Sequence, residues 1–336
     1  MEMNVAALEE ELSRPREWDC AVMARLPGDI VVLGAGGKMG PSLARLARRA
    51  TEAAGVARRI MAVSRFPDLG LKQQLEAWGV EAISCDLLDR GEIAALPDCP
   101  NVLFLAGRKF GSVGNQPLTW AANALLPALV AERYRGSRMV VLSSGNVYPL
   151  DQVAATEQTP PAPVGEYAQS VLARERIFEY FSARDQTPVS ILRLNYANDL
   201  RYGVLLDIGQ GVWEGRPVSL AMGWVNVIWQ GDANSICLRA LELAASPPLV
   251  LNVTGPERLA VRWIAGRFGE IFGIEPGFEG TEAETALLSD SSLCCRLLGA
   301  PGVGAEEMIN RTAEWIRSGG VTLNKPTHFE VRDGAF

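Results

Sequence analysis

Three glycines with the spacing G-x-x-G-x-x-G lie at positions 34, 37 and 40, between a short apolar run and the start of a helical pattern. Glycine allows a tight turn and lets backbone N–H groups approach a ligand closely, and the start of a helix adds a partial positive charge. We therefore predict that Gly34, Gly37 and Gly40, with Lys38 and Met39 between them, bind the pyrophosphate of a dinucleotide cofactor. A purely structural turn between a strand and a helix is the alternative.

The next apolar run ends at Ser64 and Arg65. NAD-binding proteins often place an acidic residue at the end of this strand, where it bonds the ribose 2′-hydroxyl. An arginine there suits a 2′-phosphate instead, because a guanidinium can form paired hydrogen bonds with phosphate oxygens. Ser64 and Arg65 therefore favour NADP over NAD as the cofactor. An exposed arginine without a ligand is the alternative.

The elements that must position these residues alternate between short apolar runs and helical patterns. Strands are predicted at residues 29–34, 59–64, 80–86, 101–107, 137–144, 188–194 and 249–255. Helices are predicted at residues 40–55, 71–79, 90–96, 118–134, 166–184 and 232–245. Because the strands are apolar throughout, both faces of their sheet must be covered. The sequence thus predicts an α/β fold, a Rossmann-type doubly wound parallel sheet with its ligand crevice at the carboxyl ends of the strands.

The alternation suggests three parts along the chain. Residues 1–27 are predicted to form a helical arm, and residues 28–200, completed by 225–255, the dinucleotide-binding domain. Residues 201–224 and 256–336 would form a smaller substrate-binding lobe and a C-terminal tail. The only histidine, His328, would reach the crevice only if this tail folds back.

The composition disfavours several other classes of protein. A net charge of −7 without a basic stripe is unlike a nucleic-acid-binding protein, and no apolar run reaches the ~18 residues that a membrane span needs. The acidic, amphipathic N-terminus does not resemble a signal peptide. With a single histidine and no C-x-x-C pair among six cysteines, we expect neither a metal site nor disulfides. A cytoplasmic protein is the expectation that fits these features.

Further motifs follow the glycine turn in a fixed order. They are SCDLLD at 84–89, VLFLAG at 102–107, SSGNVY at 143–148, Tyr167 placed 23 residues after Ser144, and LNVTGPE at 251–257. In this order the chain resembles the extended short-chain dehydrogenase/reductases, and within them the NAD-dependent epimerase/dehydratase family. The resemblance covers about residues 29 to 275.

The resemblance implies a role for three residues in catalysis. Tyr167 would be the general acid/base and would also contact the cofactor, and Ser144 would bond the substrate oxygen. Asn123, on the helix after the fourth strand, would match the structural and proton-relay asparagine of the family.

The resemblance also implies further cofactor contacts. Asp86 and Leu87 would lie at the adenine edge, and Ala106 and Gly107 would line the cofactor beyond the fourth strand. Asn195 would lie beside the nicotinamide, although it is displaced by one position from the family pattern.

One departure from the family pattern bears directly on the chemistry. The Tyr-x-x-x-Lys motif is broken, because Val171 stands where the family has lysine. An ammonium stabilises a nearby phenolate, whereas valine cannot. Lys109, Arg174 or the oxidised nicotinamide itself could supply the missing charge. For Arg174 the alternative is an exposed charge on its helix. Alternatively, the substrate is acidic enough to need less activation, or the site has lost catalysis.

Together these features predict an NAD(P)-dependent oxidoreductase or epimerase acting on a small polyhydroxylated substrate, such as a sugar or a sugar acid derivative. The rival hypothesis is a catalytically degenerate nucleotide-binding or regulatory protein. The family resemblance also suggests a homodimer, paired through the helices at 118–134 and 166–184.

Overall fold

A computed structural model of the protein describes residues 4–109 and 114–335. The first three residues of the predicted arm and the last residue of the predicted tail lie outside the described residues. The strands are β1 Ile30–Leu33, β2 Ile60–Ser64, β3 Glu81–Ser84, β4 Asn101–Phe104, β5 Arg138–Ser144, β6 Val189–Leu194, β7 Ala197–Asn198, β8 Val218–Ser219, β9 Trp224–Val225, β10 Ile228–Trp229, β11 Leu249–Val253, β12 Leu259–Ala260 and β13 Phe278–Glu279.

The strands alternate with helices along the first two thirds of the chain. The helices are α1 Val5–Leu12, α2 Glu17–Arg25, α3 Gly40–Ala53, α4 Leu69–Ala77, α5 Arg90–Ala95, α6 Gln116–Trp120, α7 Leu126–Arg133, α8 Gly165–Asp185, α9 Val204–Trp213, α10 Gln230–Arg239, α11 Val261–Phe272, α12 Ser292–Leu298 and α13 Ala305–Arg317. Among the described residues, no helix is long and apolar enough to cross a membrane.

Within the described residues, seven strands form one parallel sheet in the order β3-β2-β1-β4-β5-β6-β11. Each of these strands lies within one of the predicted strand ranges. The strand order reverses direction between β1 and β4, and this is the point at which open α/β sheets bind their ligands. The predicted Rossmann-type fold is therefore confirmed, and its crevice lies beside the end of β1 at Leu33.

The helix predicted at 118–134 is interrupted by a π-helical turn at Ala121–Leu125. Pro127 explains the interruption, because proline has no N–H to donate to the carbonyl of Asn123 four residues before it. The N–H of Leu126 bonds instead to the carbonyl of Ala121, five residues back. This wider turn carries Asn123, which is fully buried.

The described residues form three large apolar cores. The first lies on one face of the large sheet and contains Ile30, Leu43 and Leu251, and the second joins α9, α11 and α13 in the smaller lobe. The third lies on the opposite face of the sheet and contains Val31 and Phe104. The small lobe is completed by two-strand pairings, β8 with β13 and β9 with β12.

The N-terminal arm connects the first two cores. Leu8 and Leu12 of α1 are buried in the core of the small lobe, whereas Val22 and Met23 of α2 are buried in the core of the sheet domain. Ion pairs extend the same bridge, because Glu9 pairs with Arg201 at 2.6 Å and Glu10 pairs with Arg45 at 2.9 Å. The arm therefore fixes the two lobes relative to each other.

Shortening Leu8 should destabilise the whole protein, because its side chain is fully buried in the second core. We expect Leu8→Ala to lower the free energy of unfolding by about 2–5 kcal/mol in urea titrations. The matched control is Leu69→Ala, whose leucine is 68% exposed, and its expected effect is within ~0.5 kcal/mol. Equal effects of the two changes would show that the arm only rests on the surface.

Candidate active site

Two glycines of the turn between β1 and α3 cannot be replaced by larger residues. Gly34 has a φ of +87°, and a Cβ there would overlap the backbone of Ala106 after β4. A Cβ at Gly40 would overlap the carbonyl of Ala35. Gly34, Gly37 and Gly40 line one end of a cavity, so the turn leaves space for a ligand at the start of α3. These features fit the predicted pyrophosphate contact.

The residues predicted for the adenine end lie along the same edge of the sheet but outside the cavity lining. Ser64 is half-buried beside Gly36, and Arg65 is exposed directly after β2. Asp86 accepts a hydrogen bond from the N–H of Leu88 at 3.0 Å, which shapes the turn after β3. The side chain of Leu87 is buried in the third core, which also contains Val31 and Phe104.

The cavity has a volume of about 380 Å³ and lies at the carboxyl ends of the strands. The predicted site residues that line it are Gly34, Gly37, Lys38, Met39, Gly40, Gly107, Ser144, Tyr167 and Asn195. Ala106 contacts the glycine turn, and Asn123 is buried behind the wall. Asn195 is held in place by its side-chain N–H groups, which donate to Asn226 at 3.0 Å and to the carbonyl of Leu287 at 3.3 Å.

Tyr167 lies in the first turn of α8 and faces the end of β5. Its hydroxyl bonds with Ser144, whose oxygen also accepts from the N–H of Asn146 at 3.2 Å. Burial raises the pKa of Tyr167 above its usual value, while the bond with Ser144 and the charge of Arg174 lower it. The geometry therefore joins a phenol and a hydroxyl in the way proton exchange with a substrate oxygen requires.

Val171 does not leave an empty space where the family has its lysine side chain. Its side chain is buried and packs against Val147, Tyr148 and Ala155 behind the site. An apolar, buried side chain thus takes the place of the family lysine. Any cation beside Tyr167 must therefore come from another position in the chain.

Arg174 is such a cation. It lies two helical turns after Tyr167 and is only 6% exposed, so its reading as an exposed helix charge is wrong. The guanidinium donates to the carbonyl of Leu142 at 2.6 Å and to the side-chain oxygen of Asn123 at 2.8 Å. A Cβ at Gly107 would collide with this guanidinium, so the glycine leaves the space that Arg174 occupies.

The side chain of Asn123 is fully used in joining three segments. Its oxygen accepts from the backbone N–H of Arg108 and from Arg174, both at 2.8 Å. Its N–H groups donate to the carbonyl of Arg108 at 2.8 Å and to the hydroxyl of Ser170 at 2.9 Å. These bonds give Asn123 a structural role, whereas its proton-relay role stays a prediction.

A buried ion pair lies behind the site. Arg193 bonds both carboxylate oxygens of Glu175, at 3.0 and 2.7 Å, and also donates to the hydroxyl of Tyr148 at 2.7 Å. The hydroxyl of Ser143 donates to Glu175 at 2.5 Å. This network fixes the end of β5, on which Ser144 lies, against α8.

The C-terminal tail folds back across the cavity. Asp207 of α9 accepts hydrogen bonds from the backbone N–H of Thr327 at 2.7 Å and from its hydroxyl at 2.5 Å. Thr327 and Lys325 line the cavity, whereas His328 lines a second cavity of about 490 Å³ on the other side of the tail. The periodicity of the sequence did not predict that Lys325 lines the cavity. The scarcity of lysine in the chain was the signal that could have drawn attention to it.

Adding a methyl group at Gly107 should be costly, because it meets the buried guanidinium of Arg174. We expect Gly107→Ala to lower the free energy of unfolding by about 1–3 kcal/mol in urea titrations. The control is Gly266→Ala within α11, where a Cβ has nothing within 4 Å and alanine is the better helix former. That change should be neutral or stabilising, and a neutral Gly107→Ala would contradict the packing described here.

Solved structures with the same fold include three sugar-nucleotide proteins. They are MoeE5 in complex with UDP-glucuronic acid and NAD (24% identity, TM-score 0.69, covering 87% of this chain and 100% of that chain), a UDP-glucuronic acid 4-epimerase from Bacillus cereus in complex with UDP-glucuronic acid and NAD (18%, 0.71, 86% and 99%), and a UDP-glucose 4-epimerase from Thermotoga maritima with UDP-glucose (18%, 0.72, 87% and 99%). At these identities the likeness shows the fold. A search of curated protein sequences found no match.

A family model provides the stronger evidence. The model of the NAD dependent epimerase/dehydratase family matches residues 30–197, which are half of the chain. This range begins with β1 and includes the glycine turn, Ser144 and Tyr167. The match confirms both the predicted resemblance and the prediction of an enzyme of this class. The chain belongs to the NAD-dependent epimerase/dehydratase family.

Proposed function

We propose that the protein is an NAD(P)-dependent oxidoreductase or epimerase that acts on a small polyhydroxylated, sugar-like substrate. The observation that carries this proposal is the hydrogen bond between Tyr167 and Ser144 at the wall of a cavity that starts at the glycine turn. Tyr167 would exchange a proton with the substrate hydroxyl, and Ser144 would orient the same oxygen. The sugar nucleotides named for the similar structures are the first substrates to try.

The residues along the sheet edge would hold the nucleotide in an extended arrangement. Gly34, Gly37 and Gly40, with the backbone of Lys38 and Met39, would surround the pyrophosphate, because all five residues line the cavity at the start of α3. Asp86 and Leu87 would lie towards the adenine. Ala106, Gly107 and Asn195 would line the other half, near Tyr167. When bound, the nicotinamide accepts or donates the hydride.

Arg174 would perform part of the work of the missing lysine. Its charge lowers the pKa of Tyr167 against the effect of burial, so it favours the phenolate that a proton-accepting tyrosine needs. It also holds Asn123, which organises the loop after β4. A buried cation so close to the phenol supports catalysis rather than the degenerate alternative.

NADP is our proposal for the preferred nucleotide. Arg65 is exposed at the end of β2, where it can reach a 2′-phosphate, and Ser64 beside it is half-buried. Two of the similar structures contain NAD, so both nucleotides must be compared.

We also propose a homodimer in the cytoplasm. Leu118, Trp120 and Leu125 lie on neighbouring turns and are 38%, 36% and 49% exposed. An exposed apolar surface of this kind is typical of a contact between protein chains. All six cysteines are unpaired, which fits a reducing compartment.

Removing the Tyr167 hydroxyl should abolish the chemistry and spare the nucleotide. We expect Tyr167→Phe to reduce turnover of a UDP-sugar by about 10²–10⁴-fold, since a positioned acid/base contributes that much. Binding of reduced nucleotide, followed by fluorescence, should stay unchanged and should favour NADPH over NADH. Tyr180→Phe on the same helix is the control, because Tyr180 is 60% exposed. Nucleotide binding by the wild type without turnover of any sugar would favour the degenerate alternative.

Neutralising Arg174 should shift the pH dependence of oxidation. The rate rises with pH as Tyr167 loses its proton, and loss of the guanidinium charge raises the pKa of Tyr167 further. The rising limb of kcat against pH should therefore move to higher pH in Arg174→Met.

Arg174→Lys should restore the profile in part, whereas a purely structural role would lower the rate at every pH equally. The control is Arg176→Met, because Arg176 is exposed and pairs with Glu179. An unmoved limb in a folded Arg174→Met variant contradicts the proposed role.

A further inference from the structure

Lysine is rare in this chain and concentrated at one place. Of the 32 lysines and arginines only four are lysine, at positions 38, 72, 109 and 325. Lys38, Lys109 and Lys325 all line the cavity, whereas Lys72 lies on α4. They come from three separate segments, namely the glycine turn, the loop after β4 and the C-terminal tail. The fold therefore brings together ammonium groups that are far apart in the sequence.

The cavity is lined by basic side chains although the protein is acidic. The net charge of the chain is −7, but among the described residues the cavity lining contains these three lysines, Arg108 and Arg174, and no carboxylate. Arg174 is already occupied by Asn123 and the carbonyl of Leu142. A concave site lined by one sign of charge concentrates ligands of the opposite sign.

The ammonium groups of Lys38 and Lys109 lie beside tyrosine rings of the cavity wall. The side chain of Lys38 extends away from the glycine turn, and its ammonium group lies 2.8 Å from the ring centre of Tyr202, beside the small lobe. That of Lys109 lies 5.9 Å from the ring centre of Tyr167 and donates to the carbonyl of Thr327 at 3.3 Å. The glycine turn that would hold the cofactor pyrophosphate therefore does not account for the positions of these two ammonium groups.

The carboxylates that act on Lys38 and Lys109 have partners of their own. They belong to Asp199, Asp207 and Glu330. Their partners are the guanidinium of Arg201 at 2.6 Å, the backbone N–H of Thr327 at 2.7 Å and the ring of His328 at 3.7 Å, respectively. Asp207 and Glu330 also line the second cavity, across the tail. An anion in the first cavity would thus meet the ammonium groups without an acidic side chain in the wall.

We propose that Lys38, Lys109 and Lys325 form a subsite for a carboxylate on the substrate, so that the substrate is a sugar acid rather than a neutral sugar. This inference rests on the proposed function, because it places the anion beside the carbon whose hydroxyl meets Tyr167. A carboxyl group attached directly to a sugar ring lies within a few ångströms of the neighbouring carbinol carbon. A diphosphate at the anomeric carbon lies across the ring from it.

The titration of the lysines gives the subsite a pH signature. Burial, and then the charge of Lys109, lower the pKa of Lys38 to about 6, and burial lowers that of Lys109 to about 8. The charge of Lys325 contributes to the lowered pKa of Lys38, and Asp199 and Asp207 oppose it. Asp207 and Glu330 likewise oppose the lowering of the pKa of Lys109. A bound carboxylate favours the charged forms, so binding takes up protons near pH 7. Affinity for a sugar acid should fall as the pH rises from 6 to 9.

The experiment compares ligands that differ only in the carboxylate. Calorimetry of the nucleotide-loaded full chain with UDP-glucuronic acid and UDP-glucose forms one pair, and saturation-transfer NMR with glucuronate and glucose forms a second pair without the nucleotide. We expect a preference for the acid of about tenfold or more, as charge-assisted hydrogen bonds provide. Lys38→Met and Lys325→Met should each remove most of this preference, and Lys325→Met should leave the affinity for the neutral sugar unchanged. Lys325→Arg should keep it, and Lys72→Met is the matched control.

The outcomes separate this inference from the proposed function. An equal loss of both UDP-sugars in the lysine variants would mean that the lysines hold the diphosphate, and it would overturn the inference. Turnover of UDP-glucose by a wild type that shows no preference for acids would also overturn it and leave the proposed function standing. A lysine-dependent preference for glucuronate without turnover of any sugar would support the subsite and contradict the proposed function.

Discussion

The buried guanidinium of Arg174 is the charge on which the arrangement of this site depends. Burial of a charged group is unfavourable unless hydrogen bonds compensate it, and here Asn123 and the carbonyl of Leu142 do so. The π-helical turn places Asn123 within reach, and Gly107 leaves the necessary space. The π-helical turn, Asn123 and Gly107 look unrelated in the sequence. Together they allow a cation to be buried near Tyr167 although the family lysine is missing.

The sheet domain could be predicted well from the sequence because its signals are local. Apolar runs, glycine spacing and helical periodicity are read within about ten residues, and they located every strand of the large sheet. The motif order was likewise sufficient to place Ser144 and Tyr167 next to each other. Asp86 and Leu87 show the limit of assigning roles from a family resemblance. The side chain of Leu87 is buried in the core, and that of Asp86 shapes a turn. Their predicted contacts with adenine stay predictions.

What the sequence did not show depends on distant contacts. The burial of Arg174 requires knowledge of the loop after β4, and Lys325 approaches the cavity only because Asp207 binds Thr327. The arm, too, gave no sign in its sequence that α1 and α2 would enter different cores. Charged residues such as Glu9 look solvent-exposed in a helical pattern, yet here they pair across lobes. Local patterns carry no information about such partners.

The tail is a shared wall between two cavities. Lys325 contributes to both, Thr327 faces one and His328 faces the other. A molecule that moves this wall from one side necessarily reshapes the other side. Coupling of this kind is reciprocal. If a ligand in the second cavity changes the affinity of the first cavity for its own ligand, then filling the first cavity changes the affinity of the second by the same factor.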